Sequence, residues 1–129
     1  MRLLVVIPAY NEEASLPSTV RELRAKAPET EFVVVNDGSG DRTAEICRRE
    51  GYPLLDLSTN LGLTGAFQTG VRYAYEAGYD AVMQLDADGQ HDPAFIRPMA
   101  EKMEKEGLDR KSTRLNSSHP TTSRMPSSA

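Results

Sequence analysis

Residues 81–90 read Ala81-Val82-Met83-Gln84-Leu85-Asp86-Ala87-Asp88-Gly89-Gln90, a short apolar run that passes directly into an acidic loop. Such a run is typical of a strand that is buried on both faces, as in a parallel sheet. The loop places the carboxylates of Asp86 and Asp88 and the amide of Gln90 at the end of that strand. Hard cations such as Mg²⁺ and Mn²⁺ favour oxygen ligands of this kind. Because Asp and Gly are also ordinary turn residues, the stretch alone leaves a metal site and an acidic turn both open.

The same succession of apolar run and polar loop recurs upstream, with helical segments between the runs. Apolar runs predict strands over residues 3–7, 32–35, 53–57 and 81–85. Apolar spacing and cap residues predict four helices: one with Ser15 as N-cap and Pro28 after its end, one with Asp41 as cap and Gly51 as stop, one over residues 65–77, and one that begins at Asp92-Pro93. Strands that alternate with helices indicate an α/β fold with a mostly parallel sheet and right-handed crossovers.

Ligands of parallel α/β sheets bind beyond the carboxyl ends of the strands, near a switch in strand order. Four loops meet this condition, and every polar cluster of interest falls in one of them; they span residues 8–13, 36–41, 58–65 and 86–92. This coincidence predicts one binding site formed by all four loops.

Each loop has a chemical and a purely structural interpretation. In the loop over residues 8–13, Tyr10 offers a flat face for a nucleobase and Glu12 offers polar contacts. In the loop over residues 36–41, Asp37 offers an acceptor for a base N–H. Each of these two loops is also consistent with a simple turn before a helix. The glycine-rich turn before Gly65 enters a helix N-terminus, which is a favourable place for phosphate. Gly70 within that helix is interpreted as a close-packing position rather than a ligand contact. His91 could contact phosphate or metal, but the preferred interpretation is a surface-loop histidine.

Composition narrows the function classes. The 129 residues are 39% hydrophobic, which suits one modest domain, and the single cysteine excludes an internal disulfide. We find neither an apolar run of membrane-spanning length nor the apolar core of a signal peptide, so the expectation is a cytoplasmic domain. Residues 1–108 carry 18 acidic against 11 basic residues, which argues against nonspecific nucleic-acid binding.

The sequence changes character after Leu108. Residues 109–129 lack apolar periodicity and are rich in Ser, Thr and Pro, which predicts a disordered tail. Residues 109–119 also read like the translation of a common short-read sequencing adapter, and residues 123–129 like its continuation. The alternative is a basic tail that binds an anionic partner. We expect residues 1–108 to be the domain and residues 109–129 to be an adapter-derived scar.

Independent sequencing of the source DNA across the codons of Leu108 and Asp109 tests this interpretation. The expected result is a continuation that differs from the adapter-like tail. A reproducible genomic continuation that encodes the same 21 residues would contradict it.

Four motifs at the predicted strand ends resemble glycosyltransferase family 2, whose nucleotide-sugar-dependent members have the Rossmann-like GT-A fold with helices on both faces of the sheet. The motifs are Val6-Ile7-Pro8-Ala9-Tyr10-Asn11-Glu12, Val35-Asn36-Asp37-Gly38-Ser39, Asn60-x-Gly62-x-x-Gly65-Ala66 and Asp86-Ala87-Asp88-Gly89-Gln90-His91. The resemblance is closest to polyprenyl-phosphate (dolichol-phosphate-like) sugar transferases. It covers residues 3–108, which implies truncation after about Leu108.

The resemblance implies a role for individual residues. Those implied in nucleotide binding are Pro8, Ala9, Tyr10, Glu12, Asp37, Gly65, Asp86 and Ala87. Those implied in binding Mg²⁺ or Mn²⁺, which bridges the donor diphosphate, are Asp86, Asp88 and Gln90. The chain departs from the common pattern at two places. Asn36 stands where many members of the family have a carboxylate. The glycine-rich loop has Leu63 and Thr64 where many members have a basic residue.

The implied function is metal-dependent transfer of a sugar from a UDP- or GDP-linked donor to a polyprenyl-phosphate or polysaccharide acceptor. This reaction would take place at the inner face of the cell membrane. Catalytic residues, the acceptor site and any membrane association would belong to the missing half. The alternatives are a nucleotidyltransferase, another Rossmann-like nucleotide-binding protein, or an inactive fragment that binds nucleotide.

Overall fold

The computed structural model describes residues 1–106 and 122–124. The strands are β1 (Leu3–Ala9), β2 (Glu31–Asp37), β3 (Leu54–Leu57), β4 (Ala81–Gln84) and β5 (Thr122–Arg124). The helices are α1 (Leu16–Lys26), α2 (Thr43–Glu50), α3 (Gly62–Glu76) and α4 (Ile96–Glu106), and a 3₁₀ turn over Pro93–Phe95 precedes α4. None of the helices within residues 1–106 combines the length and the apolar character that crossing a membrane requires.

β1 is the centre of the sheet, whose strand order is β3-β2-β1-β4-β5. It pairs in parallel with β2, from Leu4 opposite Glu31 to Ala9 opposite Asn36. On its other side it pairs in parallel with β4. A strand flanked on both sides and covered on both faces must be apolar throughout, which explains the unbroken run that begins at Leu3.

Alternate residues of β1 serve two separate cores. Val5 and Ile7 pack in a cluster with apolar residues of α1, α2 and α4. Leu4 and Val6 pack in a second cluster with Ala66 of α3 on the opposite face. The predicted α/β fold, with a mostly parallel sheet and helices on both faces, is therefore confirmed.

The position of α3 follows from the strand order. The chain moves outward from β1 to β3 and then crosses back to β4 on the far side of β1. Because crossovers between parallel strands are right-handed, a reversal of direction moves the connecting helix to the other face. The reversal also opens a crevice at the carboxyl ends of β1 and β4, which is where such sheets bind ligands.

Most element boundaries match the prediction, and the differences have local causes. β1 and β2 each end two residues later than predicted, because β1 continues to pair with β2 as far as Ala9 and β2 continues to pair with β3 as far as Asp37. β2 also begins one residue earlier, at Glu31. α3 begins at Gly62 instead of Gly65. Ser15 occupies the N-cap position of α1, but its side chain makes no cap hydrogen bond, so that part of the prediction is wrong.

β5 lies in a stretch where the sequence predicts no strand. It pairs antiparallel with β4, with Ala81 opposite Arg124. An edge strand presents unpaired backbone N–H and C=O groups that any extended segment can satisfy, whatever its side chains. The rest of the predicted disordered tail, and the boundary at Leu108, lie outside the described residues.

Gly70 packs closely against β1, which agrees with the close-packing position that the sequence predicts. A Cβ built at Gly70 would lie 2.4 Å from Val6 Cγ1, and Val6 is fully buried. We expect Gly70→Ala to lower the free energy of unfolding by about 1–3 kcal/mol through overpacking. This loss should appear although alanine favours a helix over glycine by about 1 kcal/mol.

Urea unfolding measures the effect, with Gly40→Ala as the matched control. A Cβ at Gly40 would have its nearest neighbour at 4.0 Å, so this variant should change stability by no more than about 0.5 kcal/mol. Equal midpoints for Gly70→Ala and the wild type would show that the two elements do not pack as closely as described.

Candidate functional site

The loops at the carboxyl ends of the strands enclose a cleft of about 400 Å³. It lies at the reversal of strand order between β1 and β4. Eight of the residues singled out from the sequence line it, namely Pro8, Ala9, Tyr10, Glu12, Asp37, Asp86, Ala87 and Asp88. The fold thus brings together residues that are up to 80 positions apart in the chain.

Two predicted site residues, Gly65 and Gln90, are not among those that line the cleft. Gly65 lies within α3 rather than at its start, and the Gln90 side chain is exposed. Three residues that the sequence did not single out line the cleft instead: Asn60, Gly62 and Leu63. All three lie within the third motif, which begins at Asn60, but only the early start of α3 places them at the cleft.

The loops after β1 and β2 are joined by hydrogen bonds between backbone and side chains. Asn11 has a positive φ of 54°, a conformation that asparagine adopts more readily than most residues. The bonds run from Asn11 N–H to Ser39 Oγ (2.9 Å), Glu12 N–H to Thr43 Oγ1 (3.0 Å), Glu13 N–H to Asp41 Oδ2 (3.1 Å) and Gly40 N–H to Asn11 Oδ1 (2.8 Å). The two loops therefore form one unit, and Asn11 serves to hold them together.

Asp41 is the member of this unit whose carboxylate accepts hydrogen bonds from both Glu13 and Thr43. Partial burial would raise its pKa, but hydrogen bonds from the hydroxyl and N–H of Thr43 and from the N–H of Glu13 outweigh that effect and lower the pKa. The carboxylate form is therefore favoured. Asp41 accepts from the N–H of Thr43, the first residue of α2, and from the first loop as well. The N-cap position itself is Arg42, one residue later than the sequence predicts.

Asp37, at the end of β2, caps α3 from a neighbouring strand. Its side chain is buried, and a buried carboxylate needs hydrogen-bond donors. Oδ1 accepts from Leu61 N–H at 2.7 Å, and Oδ2 accepts from Gly62 N–H at 3.0 Å. The first N–H groups of a helix have no partner within the helix, and the helix dipole favours an anion there. This bond pair explains why α3 begins at Gly62.

The acidic loop after β4 is held from the side by α1. Ser15 Oγ lies 2.8 Å from the Ala87 carbonyl oxygen and 2.8 Å from Glu12 Oε2. Thr19 Oγ1 lies 3.1 Å from the same carbonyl oxygen. Since a hydroxyl has one hydrogen, Ser15 donates to only one acceptor at a time. Thr19 can donate to the Ala87 carbonyl while Ser15 donates to Glu12. The first turn of α1 thereby fixes the acidic loop relative to the first loop.

The predicted metal ligands differ in their settings. Asp86 is partly buried and accepts a hydrogen bond from Gln84 Nε2 at 2.9 Å. Asp88 is exposed and accepts from the backbone N–H of Gln90 at 3.0 Å. Within the part of the chain that the structure describes, no three His, Cys, Asp or Glu side chains form a group that could hold a metal ion. A metal here would need ligands from elsewhere, such as a substrate.

The cleft is strongly acidic. Among its described lining residues are the carboxylates of Glu12, Asp37, Asp86 and Asp88, and none is Lys, Arg or His. An anionic ligand such as a diphosphate would be repelled by these charges unless a cation came with it. The donor set, two cleft carboxylates without a complete protein cage, fits Mg²⁺ or Mn²⁺ that also binds substrate phosphates.

The sequence and the fold have counterparts in known proteins. The sequence profile of Glycosyl transferase family 2 matches residues 4–113, so the chain belongs to glycosyltransferase family 2. It is 39% identical over 106 residues to an undecaprenyl-phosphate mannosyltransferase of Micrococcus luteus, a match that covers 78% of this chain and 44% of that protein. Within the family, the chain is therefore close to polyprenyl-phosphate sugar transferases, and it spans less than half the length of this relative.

Solved structures agree with the fold. A mannosyltransferase of Pyrobaculum calidifontis in complex with GDP-Man and Mn²⁺ matches with a TM-score of 0.58 and 26% identity, over 67% of this chain and 27% of that one. Staphylococcus aureus TarS matches with a TM-score of 0.70 and 18% identity, over 97% of this chain and 47% of that one. The second likeness shows the fold alone.

The role of Asp37 as a cap makes a prediction about stability. Asp37→Ala removes the acceptor for two N–H groups at a buried position, and we expect a loss of about 1–3 kcal/mol in urea unfolding. Asp37→Asn keeps one acceptor oxygen and should lose less. Asp88→Ala is the matched control, since that carboxylate is exposed and should change stability by about 0.5 kcal/mol at most. Equal losses for Asp37→Ala and Asp88→Ala would contradict the capping role.

Proposed function

We propose that the cleft binds the nucleoside diphosphate of a sugar donor together with Mg²⁺ or Mn²⁺. The observation that carries the proposal is the acidic cleft at the reversal of strand order, where Asp86 and Asp88 face a space with no cationic side chain among its described lining residues. A bound cation would offset the repulsion between these carboxylates and an anionic ligand. Membership of glycosyltransferase family 2 supports a sugar nucleotide as that ligand.

The nucleoside is assigned to the end of the cleft formed by the first three loops. The Tyr10 ring is about half exposed (49%), so a base has room to stack on it. Glu12 and Asp37 supply carboxylate oxygens. Each oxygen of Asp37 has a lone pair beyond the one that meets α3, so Asp37 can cap the helix and still accept from a base N–H.

The diphosphate is assigned to the acidic loop and the start of α3. Asp86 and Asp88 would hold the metal, with Gln90 as a further oxygen ligand if its exposed side chain turns inward. When bound, such a metal supplies Lewis-acid stabilisation of the charge that develops on a departing nucleoside diphosphate. The backbone N–H of Leu63, in the first turn of α3, provides the favourable end of a helix dipole beside it, whereas the N–H of Gly62 is already bonded to Asp37.

The proposed activity of the whole protein is sugar transfer to a polyprenyl phosphate, with a polysaccharide as a second kind of acceptor. The similarity to an undecaprenyl-phosphate mannosyltransferase supports the lipid. An acceptor anchored in a membrane and a water-soluble donor would meet at the cytoplasmic membrane face. A general nucleotidyltransferase is less well supported, because those enzymes usually have a glycine-rich phosphate loop after the first strand, and Pro8–Glu13 contains no glycine.

Calorimetric titration of the full chain with UDP and with GDP, each with and without Mn²⁺, tests the site. We expect one nucleotide to bind only with Mn²⁺, because the carboxylates repel a bare diphosphate. Asp88→Ala should abolish the metal-dependent binding and leave the circular dichroism spectrum unchanged. The control is Glu29→Ala, an exposed carboxylate outside the cleft, which should bind as the wild type does.

Two results would contradict the proposal. One is the absence of nucleotide binding in a protein that circular dichroism shows to be folded. The other is unchanged Mn²⁺-dependent affinity in Asp88→Ala, which would remove Asp88 from the metal site.

A further inference from the structure

The carboxylate of Asp86 lies between two side chains of its own segment. Gln84 Nε2, on the last residue of β4, donates to Asp86 Oδ1 at 2.9 Å. On the other side, His91 Nδ1 lies 3.6 Å from Asp86 Oδ2. Gln84 is nearly buried, with 9% of its surface exposed. One oxygen of Asp86 is thus fixed, and the other faces an imidazole nitrogen.

His91 Nδ1 is held in this place without a hydrogen bond from any residue that the structure describes. The side chain is only 11% exposed, and Nδ1 itself is buried. The ring meets Phe95 edge-on, with 6.5 Å between the ring centroids and an angle of 84° between the planes. A buried polar atom without a partner costs free energy, so Nδ1 requires an explanation. The carboxylate oxygen at 3.6 Å is the acceptor that the geometry offers.

We propose that His91 is a positioning residue for Asp86. Its Nδ1 carries the proton and donates to Asp86 Oδ2, so that His91 and Gln84 together fix the plane of the carboxylate. The present separation exceeds hydrogen-bond length, and contacts of this kind in ligand-free sites tighten when the site fills. Partners that orient a metal-binding carboxylate in this way tune metal affinity. The inference rests on the proposed function, because it takes Asp86 as a metal ligand.

The position of His91 separates this role from a direct one. His91 is not among the residues that line the cleft, whereas Asp86 is. The imidazole therefore lies near the carboxylate without lining the space where a ligand would bind. The sequence suggests a surface-loop histidine at this position; His91 does lie in a loop, but its side chain is only 11% exposed.

A test without metal uses the tautomer of the imidazole. In ¹H–¹⁵N spectra of the full chain at a pH where histidine is neutral, we expect His91 to carry its hydrogen on Nδ1. Loss of the signals in His91→Phe assigns them, which separates them from those of His119, the second histidine of the chain. A hydrogen on Nε2 alone would overturn the proposal, because Nδ1 could then not donate.

A second test measures Mn²⁺ affinity by electron paramagnetic resonance, in the presence of the nucleoside diphosphate that the wild type binds. His91→Phe keeps a ring against Phe95 but loses the donor, and its affinity for Mn²⁺ should fall about 10- to 100-fold. His91→Asn places an amide N–H near the position of Nδ1 and should recover most of the affinity. Thermal unfolding monitors the integrity of both variants.

The outcomes distinguish this proposal from the one it rests on. Wild-type Mn²⁺ affinity in a folded His91→Phe overturns the positioning role and leaves the metal site in place. Equal losses in His91→Phe and His91→Asn also overturn it, since rescue by an N–H donor is what it requires. Absence of Mn²⁺ binding in the wild type overturns both proposals. If His91→Phe does not fold, the tautomer and the affinity of His91→Asn decide.

Discussion

The parallel pairing of β1 with β2 on one side and β4 on the other is the constraint on which the rest of the structure depends. It forces the carboxyl ends of all three strands to the same edge, so that the loops after Ala9, Asp37 and Gln84 have to meet. It also makes β1 apolar over its whole length, because helices cover both of its faces. The cleft is a consequence of this arrangement, since the reversal of strand order beside β1 leaves no helix directly above it.

The loops around the cleft are held by side chains from neighbouring elements rather than by their own sequence. Asp37 of β2 fixes the start of α3, and Ser15 and Thr19 of α1 fix the carbonyl of Ala87. Four carboxylates, those of Glu12, Asp37, Asp86 and Asp88, share the lining of the cleft within this frame and repel one another. Their charge is available to a cation, which couples the architecture of the site to the ligand that it favours.

The sequence predicted the elements well where a single physical signal dominates. An unbroken apolar run locates β1, and Asp92 before Pro93 locates the start of the last helical segment, where Asp92 accepts from Ala94 N–H. The sequence prediction failed where the hydrogen-bond partner of a side chain is remote in the chain. Nothing near Ser15 in the sequence shows that its hydroxyl meets Ala87 instead of capping α1, since the two residues are 72 positions apart. The same holds for the cap that Asp37 provides to α3.

By itself, the sequence determined the alternation of strands and helices, the four loops that carry polar residues, and the family to which they belong, because hydrophobic period and motif order are local properties. Only the tertiary structure decided which of these residues share a cleft. In the structure, Asn60, Gly62 and Leu63 line the cleft, whereas Gly65 and Gln90 do not. The tertiary structure also placed His91 beside Asp86. The reason is physical: strand order and the contacts between loops fix these positions, and both depend on residues far apart in the chain.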